Sequence, residues 1–503
     1  MSHSKKIFRN IIFGFGSRII TILLGFVTRK LFIIFLSDEL LGLNSLLTDL
    51  LGLLNLADMG LGTALMFNLY KPIAEKDEEK TGRILNAAKR IYNVVGVGMI
   101  VAGIVLSLFI QYLIKDNPYD LNFLRIVFII NVISSASSYF YVHKRLFMIT
   151  CEDIHLTNIV DIIMSIAGSV LKIAAVAVFK NYYLFVIIGA VQAFASNLFV
   201  NFVCNKKYPY LKKVTGYTKS EMSALFANIK QLIPNKISNY VFSNTDNTII
   251  SAFVGLSGVT LYTNYSSIVL QVFIISTMVT NIFKVSFGNV FQESADRAKH
   301  IFFLHGYQLL QFFYSSICGV AMFCLLDDFV RYLYGSEYVI SVYCVIVLTV
   351  DFYIRSMYQP LSMMLEVLGE FKSLKNQEIF SMILNIVVSV GLVIPFGIVG
   401  PIIGTLTVDI FTTIFRFYSV LYKYYREYFG EYVKKMIGYG IVFIAQYVIL
   451  YFALQFVVFD SKFIQIIVKG IICCVVVIAS NILIYRKTDE FAYLKSRFIK
   501  RRG

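Results

Sequence analysis

Apolar residues run along this chain in long blocks, separated by short polar or charged breaks. A helix that crosses a bilayer needs roughly 20 mostly apolar residues. About fourteen stretches meet that length. They lie at 11–34, 40–68, 88–114, 121–142, 156–179, 184–204, 226–252, 259–284, 301–326, 339–364, 378–394, 400–421, 437–459 and 464–485. The blocks are solidly apolar rather than alternating over about ten residues, which excludes a membrane β-barrel. At about 36 residues per span, loop included, no extramembrane domain fits between them. The pattern predicts an all-α polytopic membrane protein. The first residues, MSHSKKIFRN, are basic like a signal n-region. The block that follows is long, carries Arg18 and Arg29, and lacks an A-x-A-like site, so it is expected to be the first span and not a cleaved leader.

Composition narrows the class. Of 503 residues, 58% are hydrophobic and 15% charged, yet the net charge is +16. Soluble domains are roughly half apolar and about a quarter charged, so soluble and disordered classes are excluded. The seven cysteines are an odd number without a C-x-x-C pair, and most sit in or beside apolar blocks, which suits small hydrophobes in a reduced setting. There is no Trp, so an interfacial aromatic belt must use Tyr.

Most of the basic excess is explained by orientation. With both termini inside, the inner segments hold Lys5, Lys6 and Arg9; Lys71 to Arg90; Lys144 and Arg145; Lys206 to Lys219; Arg297 and Lys299; Lys372 and Lys375; Lys423 to Lys435; and Arg486 to Arg502. That is about 31 cations against about 4 outside, the asymmetry of the positive-inside rule. The tail 486–503 is expected to act as a cytoplasmic stop that contacts anionic lipid, not as a nucleic-acid arm.

About eleven cations remain within the spans, where a charge is costly unless it faces a cavity or a partner. They are Arg18, Arg29, Lys30, Arg125, Lys172, Lys230, Lys236, Lys284, Arg355, Arg416 and Lys469; the acids at comparable depth are Asp49, Asp58, Asp161, Asp246, Asp351 and Asp409. Helical spacing sorts them onto faces. Gly14, Arg18, Thr21, Gly25 and Arg29 share one face of the first span. Asn228, Gln231, Asn235, Asn239, Ser243 and Asp246 share one of the seventh, with Lys236 beside them and Pro234 as a candidate kink. Shorter stripes are Asn158, Asp161, Ser165, Gly168 and Lys172, and Thr405, Asp409, Thr412 and Arg416. Asp351 and Arg355, at i and i+4, are expected to form a structural ion pair, and Asp409 can pair with Arg416. Gly400 and Gly404 form a G-x-x-x-G packing signal. Arg18 and Arg29 have no acid on their stripe, which favours a functional role. A cavity richer in cations than in acids suits a membrane-borne anion, and the forked donors of Arg suit phosphate or pyrophosphate.

The chain also repeats weakly. Residues 41–84 resemble 261–304, with Asn44 aligned to Asn264. The offset spans six blocks, so the halves keep one orientation and form parallel repeats. Two six-helix lobes are expected, 1–222 and 223–436, related by a parallel pseudo-two-fold, followed by two further helices in 437–485 and the basic tail 486–503.

Three segments carry a family resemblance. They are Arg29-Lys30-Leu31-Phe32 through Leu41-Gly42-Leu43-Asn44-Ser45-Leu46; Leu56-Ala57-Asp58-Met59-Gly60-Leu61-Gly62; and Leu69-Tyr70-Lys71-Pro72-Ile73-Ala74. Together they resemble the start of bacterial polysaccharide repeat-unit flippases of the Wzx type. Their superfamily also holds multidrug extruders and lipid-linked peptidoglycan precursor flippases. Asp58 stands where the family pattern more often has Glu. The resemblance implies two lobes that alternate between inward-open and outward-open states in the bacterial cytoplasmic membrane, and a substrate of undecaprenyl-pyrophosphate-linked oligosaccharide. On that reading Arg18, Arg29 and Lys236 hold the pyrophosphate, and Asn44, Asn235 and Asn239 contact sugar hydroxyls. Asp58 and Asp246 are the acids expected to couple transport to a proton or sodium gradient. A polysaccharide polymerase and glycosyltransferases are the expected pathway partners; no nucleic acid, metal or other cofactor is expected. No Walker motif, D-x-D pair or H-E-x-x-H is present, which argues against ATP as driver, a glycosyltransferase and a metalloenzyme. Short outer loops argue against a membrane polymerase, and an Arg-rich cavity against an extruder of cations.

Overall fold

The computed structural model describes residues 20–54, 61–223, 225, 245–293 and 296–499. Among them the regular structure is helical throughout. Ten described helices are long and apolar enough to cross a membrane. Of the fourteen expected stretches, 11–34, 40–68 and 226–252 lie partly outside the described residues. The chain divides into two compact units, Met1–Thr260 and Leu261–Gly503, a boundary later than the 222 set by the repeat.

Unit 1 contains α1 (20–35), α2 (Asp38–Leu54), α3 (Leu61–Ala74), α4 (Glu78–Ser107), α5 (Leu121–Tyr139), α6 (Val142–Thr150), α7 (Ile154–Phe179), α8 (Tyr182–Lys207) and α9 (Asp246–Phe253). Helix α9 packs on α2, which is why the division falls beyond it. Polar caps set the helix ends. The Asp77 carboxylate accepts from Lys80 N–H at 2.8 Å and starts α4 ten residues before its apolar block begins. Lys180, in the left-handed region at φ 47°, turns α7 into α8, where Asn181 accepts from Leu184 N–H.

Two apolar clusters are stacked along the helices of unit 1. One joins the α4 start to the ends of α5 and α8 and to α6 through Leu85, Tyr92, Tyr139, Phe147 and Cys204. The other joins α1 and α2 to the first half of α5 and the start of α8 through Phe32, Leu46, Phe128 and Tyr182. Outward, Val94, Val97, Val101 and Ile104 of α4 are exposed in a row. A soluble surface rarely tolerates such a contiguous patch; a bilayer covers it.

Unit 2 holds α10 (Leu256–Glu293, apart from its first turn), α11 (Arg297–Leu333), α12 (Val342–Met357), α13 (Gln359–Val367), α14 (Phe371–Phe396), α15 (Val399–Arg416), α16 (Phe429–Leu454), α17 (Lys462–Tyr485) and α18 (Asp489–Ile499). Helix α11 is the central one, packed by α12, α16, α17 and α18. Buried polar contacts tie it in place. Asn481 donates to Ser316 Oγ at 2.9 Å, Gln446 donates to Asn481 Oδ1 at 2.7 Å, and Gln308 donates to the Met357 carbonyl at 3.0 Å. The helices at 437–485 are therefore built into unit 2 and are not appended to it.

One expectation is corrected here, and one segment gains a helix. The stretch 339–364 is not one span but two helices, broken at Tyr358. Pro360 lies in the first turn of the second, where its missing N–H is tolerated; within one continuous helix the missing N–H and the ring's clash with the carbonyl four residues back would break the ladder. The segment that gains a helix is the tail 486–503. Its residues Asp489–Ile499 form a helix docked on α11, with Tyr493 against Gly306 and Phe302. Glu490 accepts from Lys435 at 2.6 Å.

Candidate functional site

Of the residues assigned to substrate or ion, Arg18, Asp58, Asn235, Lys236 and Asn239 lie outside the described residues. Arg29, Asn44 and Asp246 are described, and all three belong to unit 1. Arg29 is half-buried in the last turns of α1. Asn44 sits in α2, where its Oδ1 faces the buried Tyr182 hydroxyl at 3.4 Å. Asp246 opens α9 and is buried. Its neighbour Asn247 donates to Asp49 Oδ2 at 2.6 Å, and the charges of Asp49 and Asp246 act on each other. Asn44 and Asp49 stand about one and a half turns apart on α2. One helix thus carries the amide suited to a hydroxyl and the carboxylate beside Asp246. Asp49 was visible as an intramembrane acid, but nothing in its own stretch pointed to a residue 198 positions away.

The shorter stripes resolve mostly into structural pairs. Arg145 of α6 binds Asp161 with both nitrogens, at 2.6 and 2.9 Å, and Ser196 donates to the same carboxylate at 2.8 Å. Arg145 had been placed among the loop cations, so this partner was invisible in helical spacing. Lys172 lies 5.7 Å from the Phe185 ring and packs on Gly189. Gly168 is in close contact with Gln192. Lys469 bonds Asp328 at 2.7 Å, and Lys284 bonds Glu366.

In unit 2 the Asp409 and Arg416 stripe meets a third residue. The Tyr358 hydroxyl donates to Asp409 Oδ1 at 2.9 Å, and the Arg416 guanidinium stacks on the same ring at 4.1 Å. Arg355 stacks on Phe273 at 4.5 Å and lies in the field of Asp351 and Asp409. The expected pairing across two turns therefore runs through an aromatic ring. Thr405 and Thr412 of that stripe face α14 instead, accepting from Asn385 at 3.1 Å and Gln377 at 2.9 Å. Gly400 and Gly404 serve packing: a Cβ there would stand 2.4 Å from Leu392 backbone and 2.2 Å from Ser389 Oγ. Among the described residues no group of three His, Cys, Asp or Glu is placed to hold a metal ion.

No family model matches the chain, and no curated protein matches it. Solved structures do. The lipid II flippase MurJ in an inward closed conformation superposes with a TM-score of 0.71 over 95% of this chain and 98% of that one, at 14% identity. A MATE-family multidrug resistance transporter in an inward-facing conformation superposes with 0.62, over 79% and 93%, at 15% identity. A MOP-superfamily transporter from Pyrococcus furiosus superposes with 0.56, over 82% and 94%, at 16% identity. This chain has the fold of the MOP-superfamily transporters and flippases.

Proposed function

We propose that this protein is a flippase that carries an undecaprenyl-pyrophosphate-linked oligosaccharide repeat unit across the bacterial cytoplasmic membrane, for capsule, exopolysaccharide or O-antigen assembly. The observation that carries the reading is the likeness to a lipid II flippase over nearly the whole of both chains. It is joined by Arg18 and Arg29, which helical spacing in the sequence puts on one face of the first span. In this reading Arg18, Arg29 and Lys236 hold the pyrophosphate, since a guanidinium offers two parallel donors to phosphate oxygens. Asn44, Asn235 and Asn239 meet sugar hydroxyls, and the polyprenyl tail stays in lipid. Asp58 and Asp246 carry the coupling proton or sodium ion, with Asp49 beside Asp246 as an additional carboxylate. The cycle is alternating access, with both termini cytoplasmic.

The test is export of the surface glycan. Arg18→Gln with Arg29→Gln should abolish export while protein abundance stays intact; unchanged export overturns the reading. The lipid II likeness favours one second reading, a lipid-linked peptidoglycan precursor flippase. The two separate in a depletion strain. Loss of surface glycan in viable cells supports the first, and growth arrest with accumulated peptidoglycan precursor supports the second. Membrane-impermeant labelling of Lys76→Cys and Ser336→Cys from opposite faces is expected; labelling from the same face overturns the orientation.

A further inference from the structure

Unit 1 carries an open pocket of about 280 Å³ where the start of α4, the turn into α6, the end of α8 and the 208–216 segment meet. Six of its lining residues are polar: Asn86, Lys89, His143, Lys144, Asn205 and Lys212. Among the described residues no carboxylate lines it. Three nearby acids are engaged elsewhere: Glu79 and Glu221 hold Arg83, and Asp153 holds Lys207 and Tyr208. Three lysines thus line one pocket, and no described residue of its walls supplies a counter-charge.

The walls are built rather than incidental. Lys144 Nζ donates to Asn201 Oδ1 at 2.7 Å and Asn205 Oδ1 at 2.6 Å, which fixes the ammonium and leaves its third N–H. Asn86 donates to the Val214 and Gly216 carbonyls and so fixes the segment that carries Lys212. His143 is only 3% exposed, and its Nδ1 is buried without a hydrogen-bond partner. A buried ring nitrogen in that state calls for a missing partner. The crowding acts on the ring as well: burial, and then the charges of Lys144 and Lys89, press His143 down to about 3. Among its causes, burial and the Lys89 and Lys212 charges lower Lys144.

We infer that this pocket is a binding site for a phosphate-type oxyanion, held by Lys89, Lys144 and Lys212, with His143 Nδ1 as a further donor. A tetrahedral oxyanion supplies the acceptors and the negative charge that the walls lack. Two sources share that chemistry: the headgroup of an anionic phospholipid and a soluble phosphate. Basic pockets at helix ends suit the first. The site does not depend on the proposed transport reading.

The experiment uses the purified full chain. One arm titrates inorganic phosphate into protein in neutral detergent, read by calorimetry. The other measures phosphatidylglycerol retained from phosphatidylcholine nanodiscs containing phosphatidylglycerol, read by native mass spectrometry. Binding of at least one is expected. Lys89→Gln with Lys212→Gln should weaken it by about tenfold to thirtyfold, from about 1 kcal/mol per lysine. Lys89→Arg with Lys212→Arg should keep it. Both lysines are exposed, and an unchanged thermal midpoint in phosphate-free buffer reports an intact fold. Retention of lipid alone assigns the headgroup, and binding of phosphate alone assigns a soluble anion. No binding in either arm, or equal binding by the Gln pair, overturns the proposal.

Discussion

Tyr358 donates its hydroxyl to Asp409 at 2.9 Å while its ring carries the Arg416 guanidinium. One side chain thereby supports an acid and a base that cost free energy inside a membrane. Tyr358→Phe should keep the stacking and remove the donor. The buried carboxylate then lacks a bond worth about 1–3 kcal/mol. The expected result is a lower thermal midpoint for Tyr358→Phe, and a wild-type midpoint would show that the bond contributes nothing.

Arg145 and Asp161 pair with two bonds while partly exposed, so the pair should contribute about 1–2 kcal/mol and not the value of a fully buried one. Asp161→Leu strands a guanidinium. Asp161→Leu with Arg145→Leu removes both charges and should cost less than the sum of the single changes. A double-mutant cycle by thermal denaturation measures this, and strict additivity would dismiss the pair as a stabilising contact.

Two glycines of one helix hairpin make a matched comparison. A methyl at Gly400 meets Leu392 backbone at 2.4 Å, whereas a methyl at Gly391 meets nothing within 4 Å. Gly400→Ala should destabilise by about 1–3 kcal/mol, as overpacking does. Gly391→Ala should be near neutral or slightly stabilising. Equal midpoints for the two variants would contradict the close packing of α14 and α15.

His143 gives a pH dependence of defined sign. Its ordinary value of 6.5 is lowered to about 3 by burial, then by Lys144 and Lys89. The unfolded chain therefore takes up a proton near pH 6.5, while the fold keeps the ring neutral until about pH 3. This contribution is complete above about pH 6.5 and is lost as pH falls toward 3. In phosphate-free buffer, thermal midpoints from pH 7.5 to pH 5 should fall more steeply for wild type than for His143→Gln. Parallel slopes would assign the ring no share.

The sequence carried the spans wherever apolar length alone defines them. Helices α8 and α17 fall within a few residues of the stretches 184–204 and 464–485. It failed where a helix runs on beyond lipid. Helix α4 begins at Glu78, in a charged segment that hydropathy passes over but that Asp77 caps. It also failed at Tyr358, where Pro360 interrupts an apolar block without changing its composition. Of the site, the intramembrane charges were legible and their partners were not. The mate of Asp161 is a loop-side Arg145, and the mate of Asp49 is Asn247. Spacing within one helix reports a face, and only tertiary packing says what that face meets.

The contacts between α14 and α15 keep one antiparallel register: Gln377 with Thr412, Asn385 with Thr405, Ser389 with Gly404, and Leu392 with Gly400. Bonded at its open end and middle and closely packed toward the Gly397 turn, the hairpin behaves as a single stiff beam. Neither helix can slide by a turn without breaking several contacts together. Relative motion within unit 2 is then expected at the breaks in the helices that flank the beam, the Tyr358 break before Pro360 and the π-helical turn at Phe417–Tyr422. A displacement applied at the Gly397 turn would arrive almost undiminished at Gln377, and the beam would act as a lever with its pivot at those breaks.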